Sequence, residues 1–315
     1  MPPMTTLDEI YPGLIQKNIP LAPFTSFQIG GPADLYAEPR TPEQLEALVT
    51  EAVKKNIPYY ILGGGSNTLF SDKGFRGIVI RPQFKAITVT ATATANGNSI
   101  TAEAGALLSQ VIQAAAKHDL SGMEVWIGLP GTVGGAVRGN AGAGGKEIKD
   151  FLSAATIFDL KQQKIVEYSN ADLELGYRHS TLKDKPHLIV LSATFHFEKK
   201  LPAEEQRILM QHTLSQRHAT QPKGHSAGCA FKNEIDPITN TAYSAGKLID
   251  ECGLKGTRIG GIEVSNIHGN FLQNIGGATQ QDVLDMIALI KKTIKEKKNI
   301  DLHEEVQVVS KDGTR

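Results

Sequence analysis

The chain has 315 residues, 40% of them hydrophobic and 21% charged, which is the balance of a globular protein long enough for two or three domains. Lys plus Arg and Asp plus Glu stand at 33 each, so no net charge marks the chain for nucleic acid or an anionic membrane, and an anionic ligand has to be held by local features. Two cysteines, Cys229 and Cys252, are too few for a disulfide framework, and no C-x-x-C pair or His cluster points to a metal.

In chain order, Met1 to Asp8 lacks the basic and apolar run of a signal peptide, and no apolar stretch reaches the ~18 residues of a membrane span. The expectation is a cytoplasmic protein. Thr41-Pro42-Glu43-Gln44 predicts a helix start, with Thr41 as cap, Pro42 in the first turn and Gln44 completing a capping box. Leu45, Leu48, Val49, Ala52 and Val53 form its apolar face, and Asn56 ends it. Ile57 to Leu62 then predicts a buried strand that runs directly into Gly63-Gly64-Gly65-Ser66-Asn67.

Ile87, Val89, Ala91 and Ala93 alternate with threonine, as in a half-buried strand. Ser99 to Glu103 is its hairpin partner across Asn96-Gly97. Leu107, Leu108, Val111, Ile112 and Ala115 mark a second helix. Nine glycines fall between Gly122 and Gly145, so that stretch is read as turns and close backbone approaches rather than one regular element. Strands follow from Ala154 to Phe197, and Pro202 opens a helix to about Arg217. Composition turns polar around Glu198 to Gln206, the best domain boundary. Further helices are predicted near Ala245 to Cys252 and Thr279 to Lys297, the latter capped by Thr279 with Val283, Met286, Ile287, Ile290 and Ile294 on one face. A strand from Glu305 to Val309 closes the chain.

Backbone N–H groups in a glycine-rich turn can converge on a phosphate. Both Gly63 to Asn67 and Pro130-Gly131-Thr132-Val133-Gly134-Gly135-Ala136 suit that role. Neither is a G-x-G-x-x-G in a βαβ unit, and neither is a P-loop. From residues alone, the reading stops at a nucleotide-like phosphate, with tight turns at strand ends as the alternative for either loop.

Thr25-Ser26-Phe27-Gln28-Ile29-Gly30-Gly31-Pro32-Ala33, with Leu62 to Asn67, resembles the N-terminal signature and the first flavin loop of the UDP-N-acetylenolpyruvoylglucosamine reductase (MurB) family. Gly128 to Ala136, followed by Asn140-Ala141-Gly142-Ala143, resembles its second. Leu175-Gly176-Tyr177-Arg178-His179-Ser180 resembles the Y-R-x-S element, and Ser226-Ala227-Gly228-Cys229-Ala230-Phe231-Lys232-Asn233 the SAG motif. Ala245 to Asp250, Gly253 to Gly256 and Gly260-Gly261 match a further signature. The chain is short between the Y-R-x-S element and the SAG motif, and so is similar to the type without a tyrosine-bearing inserted loop.

The resemblance implies an α+β FAD-binding fold of the vanillyl-alcohol-oxidase type with a C-terminal α/β substrate domain. It implies subdomains at residues 1–85, rejoined by the C-terminal strand 303–315, and at 86–200, with the substrate domain at 201–302. It implies non-covalent FAD, NADPH as electron donor, a UDP-sugar precursor of the cell wall as substrate, and a monomer. By the same resemblance, Gly63, Gly64, Gly65, Ser66, Asn67, Pro130, Gly131, Thr132, Gly134, Gly135, Asn140 and Ala141 hold the cofactor. Tyr177, Lys232, Asn233 and His268 fall at substrate-side positions.

The reaction so implied is a conjugate reduction of an enolpyruvyl group, in which charge builds on the carboxylate side and a proton must reach the α-carbon. Such chemistry needs a cation at the carboxylate and a general acid. Arg178 matches the first need, since its planar fork suits a carboxylate. Glu305 matches the family's glutamate, with Glu304 a rival in register because His303-Glu304-Glu305-Val306 departs from the usual Glu-Pro-Glu-Val. Cys229 stands where the family carries a serine as proton donor. A thiol, with an ordinary pKa of ~8.5, is a far stronger acid than an alcohol but must stay protonated at rest.

Two alternatives remain at this point. One is a sugar or hydroxy-acid oxidase of the same fold, many of which tether FAD through a histidine near the first glycine loop. No histidine occurs from Asn56 to Ala116. The other is a nucleotide-binding protein that has lost catalysis, which only the cysteine supports and which has no need of Arg178 and Glu305.

Overall fold

A computed structural model describes residues 7–90, 97–235 and 242–313. The chain forms two compact units, one of residues 1–16, 36–64 and 78–217, the other of 17–35, 65–77 and 218–315. The chain crosses from one to the other five times: inside the strands Ile15–Pro20, Pro32–Ala37 and Phe75–Ile80, between Gly64 and Gly65, and within the helix Ala203–Thr220.

In the first unit, the helix Pro42–Lys54 starts as its sequence predicts: Thr41 Oγ1 accepts a hydrogen bond from Gln44 N at 3.3 Å. The return bond differs, because Gln44 Oε1 accepts from Arg40 N, one residue before the cap. Leu45, Leu48, Val49 and Ala52 are buried, whereas Val53 is 47% exposed and lies off the face assigned to it. Asn56 takes a left-handed φ of 53°, and Ile57 N reaches back to Ala52 O at 2.8 Å, closing the helix end. The strand Tyr59–Ile61 follows, parallel to Phe75–Ile80 with Tyr59 opposite Ile78 and Ile61 opposite Ile80.

The same unit holds a five-stranded antiparallel sheet in the order Lys164–Ser169, Leu152–Asp159, Leu188–His196, Ser99–Glu103, Ile87–Thr90. The predicted hairpin is present, with Val89 opposite Ile100. Ala91, Ala93 and Asn96 lie outside the described residues. The helix Leu108–Lys117 buries Leu108, Val111, Ile112 and Ala115; Leu107 instead precedes it as the N-cap residue and is exposed.

Within the glycine-rich stretch, where the sequence suggests turns, the structure has a two-turn helix, Val133–Gly139, packed against Leu188–His196. Its buried Val133, Ala136 and Val137 supply the reason: complete burial of a valine stabilises by roughly 1.5–3 kcal/mol, more than the ~1 kcal/mol that each helical glycine costs. The helix ends at Asn140, in the left-handed region with φ 42°.

The second unit is built on the helix Gln280–Lys298. Thr279 Oγ1 accepts from Asp282 N at 3.1 Å and Asp282 Oδ2 from Thr279 N at 2.9 Å, a reciprocal cap. Val283, Met286, Ile287, Ile290 and Ile294 face a core that includes Phe27, Ile29, Leu69, Leu248, Ile249, Ile262 and Val264. Arg258–Ile259, Ile262–Val264 and Leu272–Asn274 form a small antiparallel sheet beside it. The final strand is Gln307–Val309, parallel to Thr68–Phe70. It begins two residues later than its sequence suggests, because Glu305 N bonds Ala230 O at 2.8 Å instead. Among the described residues, no helix is long and apolar enough to cross a membrane.

Candidate active site

The strand Tyr59–Ile61 delivers Gly63 and Gly64 against the second glycine loop inside the first unit. A side-chain carbon on Gly64 would stand 2.8 Å from Gly131 Cα, and one on Gly63 would stand 2.7 Å from Thr132 Oγ1. Only glycine permits this approach of two backbones. Thr132 precedes the helix Val133–Gly139 at the N-cap position, yet its side chain does not cap, and Oγ1 is buried without a partner. An orphaned buried hydroxyl costs about 1–3 kcal/mol unless a ligand completes it. Thr132 and the two loops therefore fit the polar part of a nucleotide cofactor.

Other members of the set have engagements within the protein. Gly134 N donates to Ala104 O at 3.0 Å, and a side-chain carbon there would meet Ala104 Cβ at the same distance. Asn140 is fully buried, with Nδ2 donating to Gly176 O at 2.7 Å and to Glu147 Oε2 at 3.1 Å, while Oδ1 accepts from Lys149 N at 3.0 Å. Ala141 N bonds Ala136 O and Ala141 O accepts from Ile148 N, both at 2.9 Å. Pro130 and Gly135 are exposed.

Gly65, Ser66 and Asn67 belong to the second unit. Gly65 has φ 63°, its carbonyl accepts from Ser26 N at 3.0 Å, and any side chain would collide with Phe24 O. That collision ties the first flavin loop to the N-terminal signature segment. Asn67 Nδ2 donates to Glu305 O at 2.9 Å and Asn67 O accepts from Gln307 N at 2.9 Å, while Asn67 Oδ1 is buried without a partner.

Arg178 lies in the first unit, in a tight turn closed by His179 N to Gly176 O at 3.1 Å. Its φ of 54° is left-handed, which is uncommon for a residue with a side chain. The guanidinium carbon stands 5.1 Å from the centre of the Tyr177 ring, and one nitrogen reaches Gly142 O at 3.4 Å. Tyr177 is 45% exposed. A fixed cation stacked on an accessible ring suits a carboxylate ligand.

The second unit brings Cys229 and Glu305 onto adjacent extended segments. The segment through Cys229 pairs on one side with Phe271 and on the other with Glu304, which faces Phe231. Ala230 N donates to Asn270 O and Ala230 O accepts from Glu305 N, both at 2.8 Å. Cys229 and Glu305 are half-buried. Glu304, the rival, is engaged elsewhere, since Lys291 Nζ lies 2.7 Å from its Oε1. Burial pushes the Glu304 carboxyl upward, but the hydrogen bond and charge of Lys291 outweigh it and hold the group below its ordinary value of 4.5. Cys252, given no role, is buried in the core.

Lys232 N donates to His303 O at 2.9 Å, and Asn233 Oδ1 accepts from Ala245 N at 3.1 Å at the start of the helix Ala245–Glu251. His268 Nδ1 accepts from Asn270 N at 3.2 Å, and its ring stands edge-on to Phe271 at 4.9 Å. Burial, helped by the charge of Lys255, lowers its pKa below the ordinary value of 6.5. Asn270 carries no role in the sequence reading, yet it is 2% exposed and its amide bonds both Phe231 N (2.9 Å) and Phe231 O (2.8 Å). Its signal in the sequence is faint: an asparagine after glycine reads as an ordinary turn residue. Among the described residues, no group of three or more His, Cys, Asp or Glu could hold a metal ion.

Paired glycine loops around an orphaned hydroxyl, on an α+β frame, define an FAD-binding protein, and residues 33–169 match the family model described as FAD binding domain. Residues 220–309 match the model described as UDP-N-acetylenolpyruvoylglucosamine reductase, C-terminal domain. The UDP-N-acetylenolpyruvoylglucosamine reductase of Clostridium novyi is 41% identical, with 95% of this chain and 93% of that protein covered. That of Caldanaerobacter subterraneus is 39% identical, with 94% of each covered. The crystal structure of the Thermus caldophilus reductase (MurB) superposes with a TM-score of 0.74 at 35% identity, covering 93% of this chain and 99% of that one. The chain belongs to the UDP-N-acetylenolpyruvoylglucosamine reductase family, and its fold is the α+β FAD-binding fold of the vanillyl-alcohol-oxidase type with a C-terminal α/β domain.

Proposed function

We infer that the protein reduces the enolpyruvyl group of UDP-N-acetylglucosamine enolpyruvate to give UDP-N-acetylmuramate, a step of peptidoglycan precursor synthesis. FAD, when bound, supplies the hydride-transfer chemistry that links NADPH to the carbon–carbon double bond. Family membership over nearly the full chain supports the reaction. The observation that carries the site is the Glu305 N to Ala230 O bond, which sets the Glu305 carboxylate and the Cys229 thiol on neighbouring segments.

Each residue then has a task. Gly63, Gly64, Gly65, Ser66, Asn67, Pro130, Gly131, Thr132 and Gly135 hold the cofactor, and Gly134, Asn140 and Ala141 brace that loop. Arg178 grips the substrate carboxylate where negative charge develops. Cys229 Sγ gives a proton to the α-carbon in place of the serine hydroxyl. Glu305 holds the protonated, enol form of the carboxylate end. Tyr177, Lys232, Asn233 and His268 line the substrate, with Lys232 neutralising diphosphate charge. We assign the chain to the type without the tyrosine-bearing loop and divide it at 1–85 with 303–315, 86–200 and 201–302. We further propose that it acts as a cytoplasmic monomer with non-covalent FAD.

The test is direct. Purified protein is expected to carry yellow flavin and to oxidise NADPH only when the enolpyruvyl UDP-sugar is added, with turnover collapsing in Cys229→Ala. Bound flavin without substrate-dependent turnover would overturn the reaction and leave only the fold.

A further inference from the structure

Arg178 sits in an unfavourable backbone conformation, and something must hold it there. Its φ of 54° puts a long, charged side chain in the left-handed region, a strain that the surroundings must offset. The hydrogen bonds across the turn, between Gly176 and His179, close it but do not anchor it. The anchors come from the end of the helix Val133–Gly139. Asn140 Nδ2 donates to Gly176 O at 2.7 Å, at one end of the turn. Ser180 Oγ donates to Arg138 O at 2.6 Å, at the other. Asn140 and Ser180 are both fully buried. Lys183 Nζ adds a bond to the carbonyl of Arg178 itself, at 2.7 Å.

Asn140 is suited to this task beyond its single bond. Both N–H groups of its amide are used, one on Gly176 O and one on Glu147 Oε2, and Oδ1 takes Lys149 N. Three of the four hydrogen-bonding directions of the amide are thus occupied, which opposes its rotation. Its own backbone is left-handed, with φ 42°, which turns the chain out of the helix and aims the side chain back at the turn. The helix follows directly on Thr132, so one short rod of the same unit carries the orphaned hydroxyl at its start and the brace for Arg178 at its end.

We propose that Asn140 is a positioning residue for Arg178: its amide, with Ser180 as a second strut, fixes the left-handed turn that aims the guanidinium at the substrate carboxylate. This rests on the role given to Arg178 above. It goes beyond that role by naming what sets the arginine's geometry, and it assigns the Asn140 side chain to that task rather than to cofactor contact.

The experiment is a double-mutant cycle on turnover of the enolpyruvyl UDP-sugar, with flavin content and melting temperature recorded for each variant. Asn140→Gly is the first variant, because glycine accepts the left-handed backbone and removes only the amide. It is expected to bind flavin and to lower kcat about 10- to 100-fold, as removal of a geometric restraint does. Arg178→Ala is expected to lose more. In the Arg178→Ala background, adding Asn140→Gly is expected to change kcat by less than about twofold, because the two act as one unit. Equal loss in both backgrounds would make Asn140 a general support of the fold and overturn the proposal. Unchanged kcat in Asn140→Gly would overturn it too. If Arg178→Ala alone turns over normally, the role of Arg178 itself fails, an outcome visible before Asn140 is touched. Should Asn140→Gly fail to bind flavin, Ser180→Ala, which removes the other strut, takes its place in the same cycle with the same outcomes.

Discussion

Gly64 stands so close to Gly131 that a methyl group on the first would lie 2.8 Å from the Cα of the second. No side-chain movement relieves that contact, because the atom met is backbone. Gly64→Ala is therefore expected to push the two loops apart. Overpacking of this kind costs typically ~1–3 kcal/mol, which corresponds to roughly a 5- to 150-fold loss of flavin affinity if the strain falls on the bound state. Gly139 is the control, since nothing lies within 4 Å of its added carbon and it closes a helix. Gly139→Ala should keep its flavin and melt at the same or a higher temperature. Flavin titration of the two apoproteins decides it: equal affinities would mean that the loop contact does not shape the cofactor site.

Lys291 claims Glu304, and that separates the two adjacent glutamates. Glu304→Gln is expected to leave turnover within about twofold and to cost on the order of 0.5 kcal/mol, since both partners are over a third exposed and screened. The depressed carboxyl fixes the pH dependence. Its stabilisation is present above the ordinary value of 4.5 and fades as pH falls through the lower, folded value. Wild type and Glu304→Gln should thus differ in urea midpoint at pH 7 and converge under acid. Glu305→Gln is expected to lose 100-fold or more in kcat, within the ~10²–10⁴-fold range of proton-handling groups. A reversed pattern would move the role to Glu304.

The thiol predicts a pH profile. Cys229→Ala should collapse turnover, while Cys229→Ser should retain a measurable fraction of it. A thiol must be protonated to act as an acid, so the wild-type rate should fall on the alkaline side, where an alcohol remains protonated. The kcat profile of Cys229→Ser should therefore extend to higher pH. An alkaline limb at the same position in both would show that another group sets it.

How much of this the sequence discloses depends on the range of the interaction concerned. The helix from Thr279 is legible because cap and apolar face are local: Thr279, Asp282 and the residues at Val283, Met286, Ile287, Ile290 and Ile294 all act within one element. The helix Val133–Gly139 is not, because its glycines argue against it and only packing of Val133 and Val137 against a distant strand supports it. Val53 keeps helical spacing yet is exposed, since spacing gives a face but not its width. The site divides the same way. Glycine loops and motif residues can be read from the chain, whereas Asn270 and the bracing role of Asn140 depend on partners 39 and 36 residues away.

Asn270 is the second such residue. Its buried amide makes two hydrogen bonds to the backbone of Phe231, two residues beyond Cys229. Asn270→Ala would leave Phe231 N and O without those partners, at about 1–3 kcal/mol for each group left unsatisfied. The expected result is a melting temperature lower by several degrees together with a kcat loss that exceeds any rise in KM for NADPH. Asn270→Asp keeps an acceptor for Phe231 N but sets a carboxylate oxygen against Phe231 O, so it should be no better than alanine. Full activity in either variant would mean that the Cys229 segment holds its shape without this bond.

Thr132 gives a prediction in which the sign depends on the cofactor. In the protein alone, Oγ1 is buried and unpartnered, so it burdens the fold. Thr132→Val replaces it with a methyl of similar size and no polar demand. The apoprotein should then be as stable as wild type or more so, by up to ~1–2 kcal/mol. With FAD bound, the hydroxyl gains an acceptor or donor that valine cannot offer, and affinity should fall about tenfold, or ~1.4 kcal/mol. Urea denaturation with and without saturating FAD measures both halves. A loss of stability in the apoprotein would mean that Oγ1 bonds within the protein. Unchanged FAD affinity would mean that the hydroxyl faces something other than the cofactor. The opposite movement of the two stabilities is what a hydroxyl kept for a ligand requires.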